Sequence, residues 1–158
     1  MSKAIPYMER TRQYYRGLGY EKDYVWANHA EVPFTKLAKP LSQARIGLVT
    51  TAQPPSGPNR DAKGVKHVWT GDVHPLPKVN TDNLAWDRES THTVDRESFL
   101  PLEALQGYVK DGTIGGLATR FHGVPTEYSQ RKTNEVDAPQ ILERLREDKV
   151  DAVFITAL

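Results

Sequence analysis

Apolar, β-branched residues are concentrated in three short runs in the later part of the chain, at 44–50, 114–118 and 150–157. Runs of this length with few polar positions are typical of buried strands in a parallel sheet. We therefore predict three such strands, the last of which ends within one residue of Leu158. A further strand is indicated over 65–73, where Pro75 closes the pattern.

Amphipathic helices are predicted before and between these strands. Apolar residues recur at helical spacing within 6–18, and again in the segment that begins at Pro101. A third helix is predicted to start at Asp137, a candidate N-cap that is followed by Pro139 in the first turn. Residues 124–136 are interpreted as a polar loop that leads into this helix.

Strands and helices alternate from Ala44 onward, which favours an α/β fold of three layers with a mainly parallel sheet and right-handed crossovers. We expect residues 1–43 to form an N-terminal helix and an extended arm, and 44–158 to form a single α/β domain. Because the last apolar strand reaches the end of the sequence, the domain is expected to be incomplete. An unpaired apolar strand favours association, so the chain is expected to be either marginally stable or a homo-oligomer.

Composition restricts the partners that the chain can have. The 158 residues have a formal charge of +1, with 21 basic and 20 acidic residues, which predicts neither a nucleic-acid nor a membrane-surface footprint. No apolar run approaches the ~20 residues of a membrane span, and the first residues lack a secretion signal, so a cytoplasmic location is expected. The chain has no cysteine, which excludes disulfides, thiolate metal sites and a cysteine nucleophile within these residues.

Candidate binding residues follow the predicted strands. Thr50 and Thr51 come at the end of the first strand, and Arg120 and His122 follow the second. Carboxyl ends of parallel strands meet at one sheet edge, so a shared cleft is predicted there. Arginine suits a substrate carboxylate, and histidine transfers protons near neutral pH. The alternative is a surface arginine and a histidine that satisfies loop backbone.

A second group of ionisable side chains lies between the strands. Its members are Asp72, His74, Asp87, Glu89, His92 and Asp95. They show no metal-ligand spacing such as His-Glu-x-x-His, so no metal site is assigned, and a structural or substrate-lining role is favoured for His92. Neither a glycine-rich phosphate loop nor a Gly-x-Ser-x-Gly nucleophile elbow occurs.

Several segments in a fixed order resemble one known family. They read VPFT at 32–35, KPLSQARIGLVTT at 39–51, SFLPLEAL at 98–105, DGTIGGLA at 111–118, DAPQIL at 137–142 and VDAVFIT at 150–156. Together they are similar to the selenoprotein B component of glycine, sarcosine and betaine reductases and to the selenocysteine subunit of D-proline reductase. Two departures are visible: Lys149 stands where a glycine is usual, and THTVD at 91–95 replaces a longer acidic and histidine-rich stretch.

The resemblance implies an oxidoreductase subunit that cleaves a C–N bond in a small amino acid or its N-methyl derivative. It implies a selenolate nucleophile just after Leu158, flanked by Thr50, Thr51, Arg120 and His122, with no catalytic residue inside the chain. Other subunits of the complex are implied as partners, one of which supplies a pyruvoyl carbonyl.

The sequence is accordingly expected to be the front part of a longer selenoprotein, cut where a UGA codon was read as stop, and to be inactive alone. Two alternatives stay open. One is a non-catalytic binding or scaffold subunit for a small anion, and the weaker one is a metal-assisted hydrolase.

Overall fold

The computed structural model describes residues 4–82, 84 and 89–157, and it divides the chain into two compact units, Met1–Phe34 and Thr35–Leu158. The first unit contains helix α1, Tyr7–Gly17, which confirms the helix predicted there. Arg16 pairs with Asp23, and the guanidinium carbon of Arg12 lies 5.1 Å from the ring centroid of Trp26. These contacts hold the segment after the helix against α1.

The second unit is built on a five-stranded, mainly parallel sheet. The strands are β1 Arg45–Thr50, β2 Trp69–Asp72, β3 Gly116–Leu117, β4 Arg120–Gly123 and β5 Ala152–Thr156. β1 is central, because it pairs in parallel with β5 along one edge and with both β3 and β4 along the other. β2 lies outside β4 and pairs with it in the antiparallel direction. The predicted α/β class with a mainly parallel sheet is therefore confirmed.

Apolar side chains of β1 alternate between two cores, one on each face of the sheet. Leu48 packs with Phe99, Leu102 and other residues near helix α2, Leu102–Lys110. Val49 packs on the other face against Ile141 and Leu145. The helices thus cover opposite faces of the sheet, and this gives the three layers expected from the sequence.

The terminal helix starts earlier than the sequence indicated. It consists of α3, Gln130–Lys132, a π-helical turn, Thr133–Asp137, and α4, Ala138–Glu147, without interruption. Ser129 caps it by accepting a hydrogen bond from the backbone N–H of Lys132 at 3.2 Å, whereas Asp137 makes no capping bond. The predicted start at Asp137 is wrong, because Asp137 is buried inside the helix, where Lys132 neutralises it.

β5 confirms the predicted direction but not the predicted burial. It runs parallel to β1, from Ile46 paired with Ala152 to Thr50 paired with Thr156. Val153, Phe154 and Ile155 are 39%, 47% and 71% exposed, since among the described residues β5 has β1 as its one strand neighbour. The expectation of a buried final strand is therefore wrong. Lys149, in the turn before β5, has a left-handed backbone with φ 55, a conformation that suits the glycine usual at this position.

The strand predicted over 114–118 is interrupted and then continues. β3 covers Gly116–Leu117, and after Thr119 the chain resumes pairing with β1 as β4, Arg120–Gly123. The carbonyl of Thr119 accepts a hydrogen bond from Val73 N–H at 3.0 Å, which links the break to the β2 side. Arg120 and His122 are consequently strand residues and do not follow a strand end. No helix within the described ranges is long and apolar enough to cross a membrane.

Candidate functional site

Arg120 and His122 lie two residues apart on β4, so both side chains extend from the same face of the sheet, toward the end of α4. The Nε of Arg120 donates to both carboxylate oxygens of Asp148, at 2.9 and 2.8 Å. Its Nη2 donates to Glu147 Oε2 at 2.6 Å. Hydrogen bonds to Asp148 and then to Glu147 hold the pKa of Arg120 above its ordinary value. Arg120 is thus a paired cation that anchors the end of α4 to the sheet.

His122 is fully buried beside this pair. Its Nδ1 lies 3.0 Å from Thr70 Oγ1, and its Nε2 lies 3.6 Å from Asp148 Oδ2, too far for a hydrogen bond. Burial lowers the pKa of His122, and the nearby charges of Arg120 and Arg144 lower it further, while Asp148 opposes them. The imidazole is therefore neutral at neutral pH.

Arg144 connects this buried histidine to solvent through Thr70. Its Nη1 donates to Thr70 Oγ1 at 2.9 Å, so the hydroxyl accepts from arginine and can donate its own proton to His122 Nδ1. In that arrangement Nδ1 accepts the hydrogen bond and the ring proton is on Nε2. The group of His122 that faces the Asp148 carboxylate is therefore an N–H and not a lone pair. Arg144 thus donates to Thr70, and Thr70 donates to His122.

An open cavity of about 710 Å³ lies over these residues. Its wall includes three guanidinium groups, those of Arg60, Arg120 and Arg144, together with Trp69 and Thr70. Asp148 and Glu147, the two carboxylates that pair with these arginines in the described residues, both bond to Arg120. The cavity wall therefore carries a surplus of positive charge at Arg60 and Arg144.

The structure does not bring Thr50 to this cavity. Thr50 pairs with Gly123 in the sheet, one position beyond His122, so its side chain points to the opposite face, where Oγ1 donates to the carbonyl of Phe99 at 2.8 Å. Thr156 donates to the same carbonyl at 2.5 Å. The prediction of one cleft is wrong for Thr50, because this fully buried side chain faces away from the cavity and joins β1 to the segment before α2.

The other predicted binding residues are also outside the cavity lining. Thr51 is partly exposed in the bend that follows β1. His92 is exposed in the irregular segment before the 3-10 turn Arg96–Ser98, and the neighbouring Thr93 is hydrogen-bonded to Thr81. Of the five residues proposed from sequence, the structure brings together Arg120 and His122, and Arg120 alone lines the cavity.

The described residues contain no group of three His, Cys, Asp or Glu side chains arranged to hold a metal ion. Asp87, one of the sequence candidates, lies outside the described residues. The remaining candidates offer no assembled ligand set for the metal-assisted hydrolase.

Arg60, Thr70, Arg144 and Asp148 were missed by sequence reasoning. They come from the loop after β1, from β2 and from the end of the terminal helix, and no local motif marks them. One signal could have found two of them: Arg144 and Asp148 are four apart, and helical spacing places such residues on one face. Their proximity to Arg120 depends on how the helix packs on the sheet.

The fold defines a three-layer α/β domain with a mainly parallel sheet. The chain belongs to the glycine/sarcosine/betaine reductase selenoprotein B family, whose profile matches residues 13–158. It is similar to the glycine reductase complex component B subunit gamma of Peptoclostridium acidaminophilum, with 24% identity over 153 residues, and to that of Symbiobacterium thermophilum, with 24% over 149 residues.

Each of these alignments covers 90% of the chain but only 34% and 35% of the respective relative. The chain thus spans about a third of the length of the curated relatives that it matches. No solved structure gives a significant match.

Proposed function

We propose that this chain is part of a selenoprotein B-type component of a reductase complex, which reductively cleaves a C–N bond in a small amino acid or its N-methyl derivative. The observation that carries the proposal is the family match over residues 13–158. The two relatives are subunits of glycine reductase complexes by name, which supports other complex subunits as partners.

In this reaction a selenolate attacks the carbon that bears the amino group, a C–Se bond forms, and the C–N bond breaks as the protonated amine leaves. A pair of thiols then supplies two electrons and two protons: the C–Se bond breaks, the carbon fragment leaves as the deaminated acid, the thiols become a disulfide, and the selenol is regenerated. The nucleophile comes from outside these 158 residues, since they contain no cysteine. A pyruvoyl carbonyl of a partner subunit would activate the amine when present, and no residue of this chain has to hold it.

The contribution of the described residues is to bind and orient the substrate. The cavity beside β4 is of the size that small-molecule sites have, ~300–1,000 Å³, and its surplus positive charge suits a carboxylate. His122 has no exposed surface, so it acts through Thr70 and does not touch the substrate. Arg120, tied to two carboxylates, keeps the end of α4 in place.

A non-catalytic subunit that binds a small anion is the second candidate function. The same cavity favours it.

Amine release by the complete complex separates the two functions. The full-length protein is assembled with its partner subunits and a dithiol, and ammonia or methylamines are measured with glycine, sarcosine, betaine or D-proline. We expect one equivalent of amine, or the ring-opened product of proline, for each dithiol oxidised. Failure with all four substrates, in a complex that still binds them, would establish the anion-binding subunit instead.

A further inference from the structure

We infer that Arg144 and Arg60 form the site that binds the carboxylate of the substrate, and that Arg120 holds the wall of this site without binding the ligand. The choice of a carboxylate as ligand depends on the function proposed above. The assignment of the two arginines depends only on contacts and charge. It differs from the sequence prediction, in which Arg120 was the binding residue.

Arg120 differs from the other two cavity arginines in its charge balance. Arg120 has both Asp148 oxygens on Nε and Glu147 on Nη2, so its charge is compensated and its fork is occupied. An incoming carboxylate would be repelled by the negative charge of both partners. Arg120 is therefore the least suitable of the three guanidinium groups.

Arg144 and Arg60 donate hydrogen bonds to neutral groups. In the described part of the chain, the guanidinium of Arg144 has no carboxylate within ion-pair distance, and its recorded hydrogen bond goes to the neutral hydroxyl of Thr70 at 2.9 Å. Arg60 likewise donates to a neutral group, the carbonyl of Gly64, at 2.6 Å. Each guanidinium keeps further N–H donors for a ligand, and paired N–H donors match the two oxygens of a carboxylate.

The orientation of Arg144 is fixed by its neighbours. Thr70 fixes one end of its fork, and the buried ring of His122 fixes Thr70 in turn, 3.0 Å away. A guanidinium held in this way loses less conformational entropy when the ligand binds. His122 is thus a positioning residue for Arg144, and Thr70 is the link between them.

An NMR titration of the full chain with acetate, at constant ionic strength, tests the assignment directly. We expect saturable shifts of the side-chain N–H signals of Arg144 and Arg60, whereas methylammonium, which lacks the carboxylate, causes none. Glycine and betaine should reproduce the acetate shifts. Phosphate is included because arginine forks also bind it, and it should bind no more tightly than acetate.

Four variants make the test specific. Arg144→Gln should weaken acetate binding about tenfold or more, because a charge-assisted fork is lost. Arg144→Lys should fall between wild type and Arg144→Gln, since it keeps the charge without the fork, and Arg60→Gln should weaken binding several-fold. Arg131→Gln is the matched control, because Arg131 is 80% exposed in its side chain and lies outside the cavity. Binding to this control should equal wild type.

Wild-type affinity in both Arg144→Gln and Arg60→Gln would overturn the assignment, and so would equal shifts with chloride or preferential binding of phosphate. Failure of the site and failure of the proposed function give different results. If acetate binding depends on Arg144 but the complete complex releases no amine, the site stands and the reductase proposal fails. If the complete complex that carries Arg144→Gln releases amine with an unchanged KM for the substrate, the reductase proposal stands and the site fails.

Discussion

Replacement of Lys132 by methionine should be strongly destabilising, because it leaves Asp137 buried without its cation. The Nζ of Lys132 lies 2.9 Å from both Asp137 oxygens, and the Asp137 residue is 1% exposed. Glu127 approaches the same Nζ at 3.6 Å, so the replacement also leaves two carboxylates close together. Removal of one partner from a buried pair costs about 3–5 kcal/mol of unfolding free energy. At 2–4 °C per kcal/mol, the melting temperature should fall by about 6–20 °C.

Urea unfolding at neutral pH, followed by far-UV circular dichroism, measures this loss. Arg131→Met is the matched control, since Arg131 and its partner Glu135 are 80% and 60% exposed in their side chains, and the change should stay within about 1 kcal/mol of wild type. The double replacement Lys132→Met with Asp137→Leu removes both charges and should recover most of the loss. The reasoning is refuted if Lys132→Met is no more destabilising than Arg131→Met.

Two further predictions concern the sheet. The unfolding free energy should fall as pH decreases below about 6.5, because the unfolded chain binds a proton at the ordinary histidine pKa while burial keeps the pKa of His122 lower. His122→Gln should flatten this dependence in urea titrations at several pH values, and a slope equal to that of wild type would contradict it. Gly123→Ala should cost about 2–4 kcal/mol, since its Cβ would lie 1.7 Å from Trp69 Nε1 and break the indole hydrogen bond to a backbone carbonyl. Gly107→Ala, with nothing within 4 Å of the new Cβ in helix α2, should instead stabilise by about 0.5–1 kcal/mol, and equal denaturation midpoints for the two variants would exclude the clash.

The central strand could be predicted from sequence because burial on both faces selects apolar residues. In β1 every residue after Arg45 is buried, and the sequence there is correspondingly apolar. β4 was hidden for the opposite reason. Polar residues such as Arg120 and His122 are typical of loops. In the structure their hydrogen-bonding groups are paired with Asp148 and Thr70, which are distant in the chain. Burial of a polar strand depends on such partners, which no local pattern reveals.

The candidate site was predicted in part, and register explains both the success and the failure. Arg120 and His122 share a face because strand side chains alternate with a period of two. Thr50 was assigned to the same cleft from its position at a strand end, but a difference of one position in register puts a side chain on the other face. Register and helix packing are set by long-range contacts, so neither Arg60 nor the position of Arg144 beside Arg120 could be predicted from neighbours in sequence.

Because of the π-helical turn, Thr133–Asp137, the arrangement of the cavity wall depends on the number of residues in the terminal helix. An α-helix turns by about 100° per residue, so deletion of one residue within this turn would rotate one end of the helix against the other by about that angle. If the end of the helix at Asp148 rotates, Arg144 would leave the cavity wall and Asp148 would separate from Arg120, although both residues were still encoded. A one-residue insertion or deletion at this turn would therefore change the charge of the cavity wall without replacing any residue that lines it.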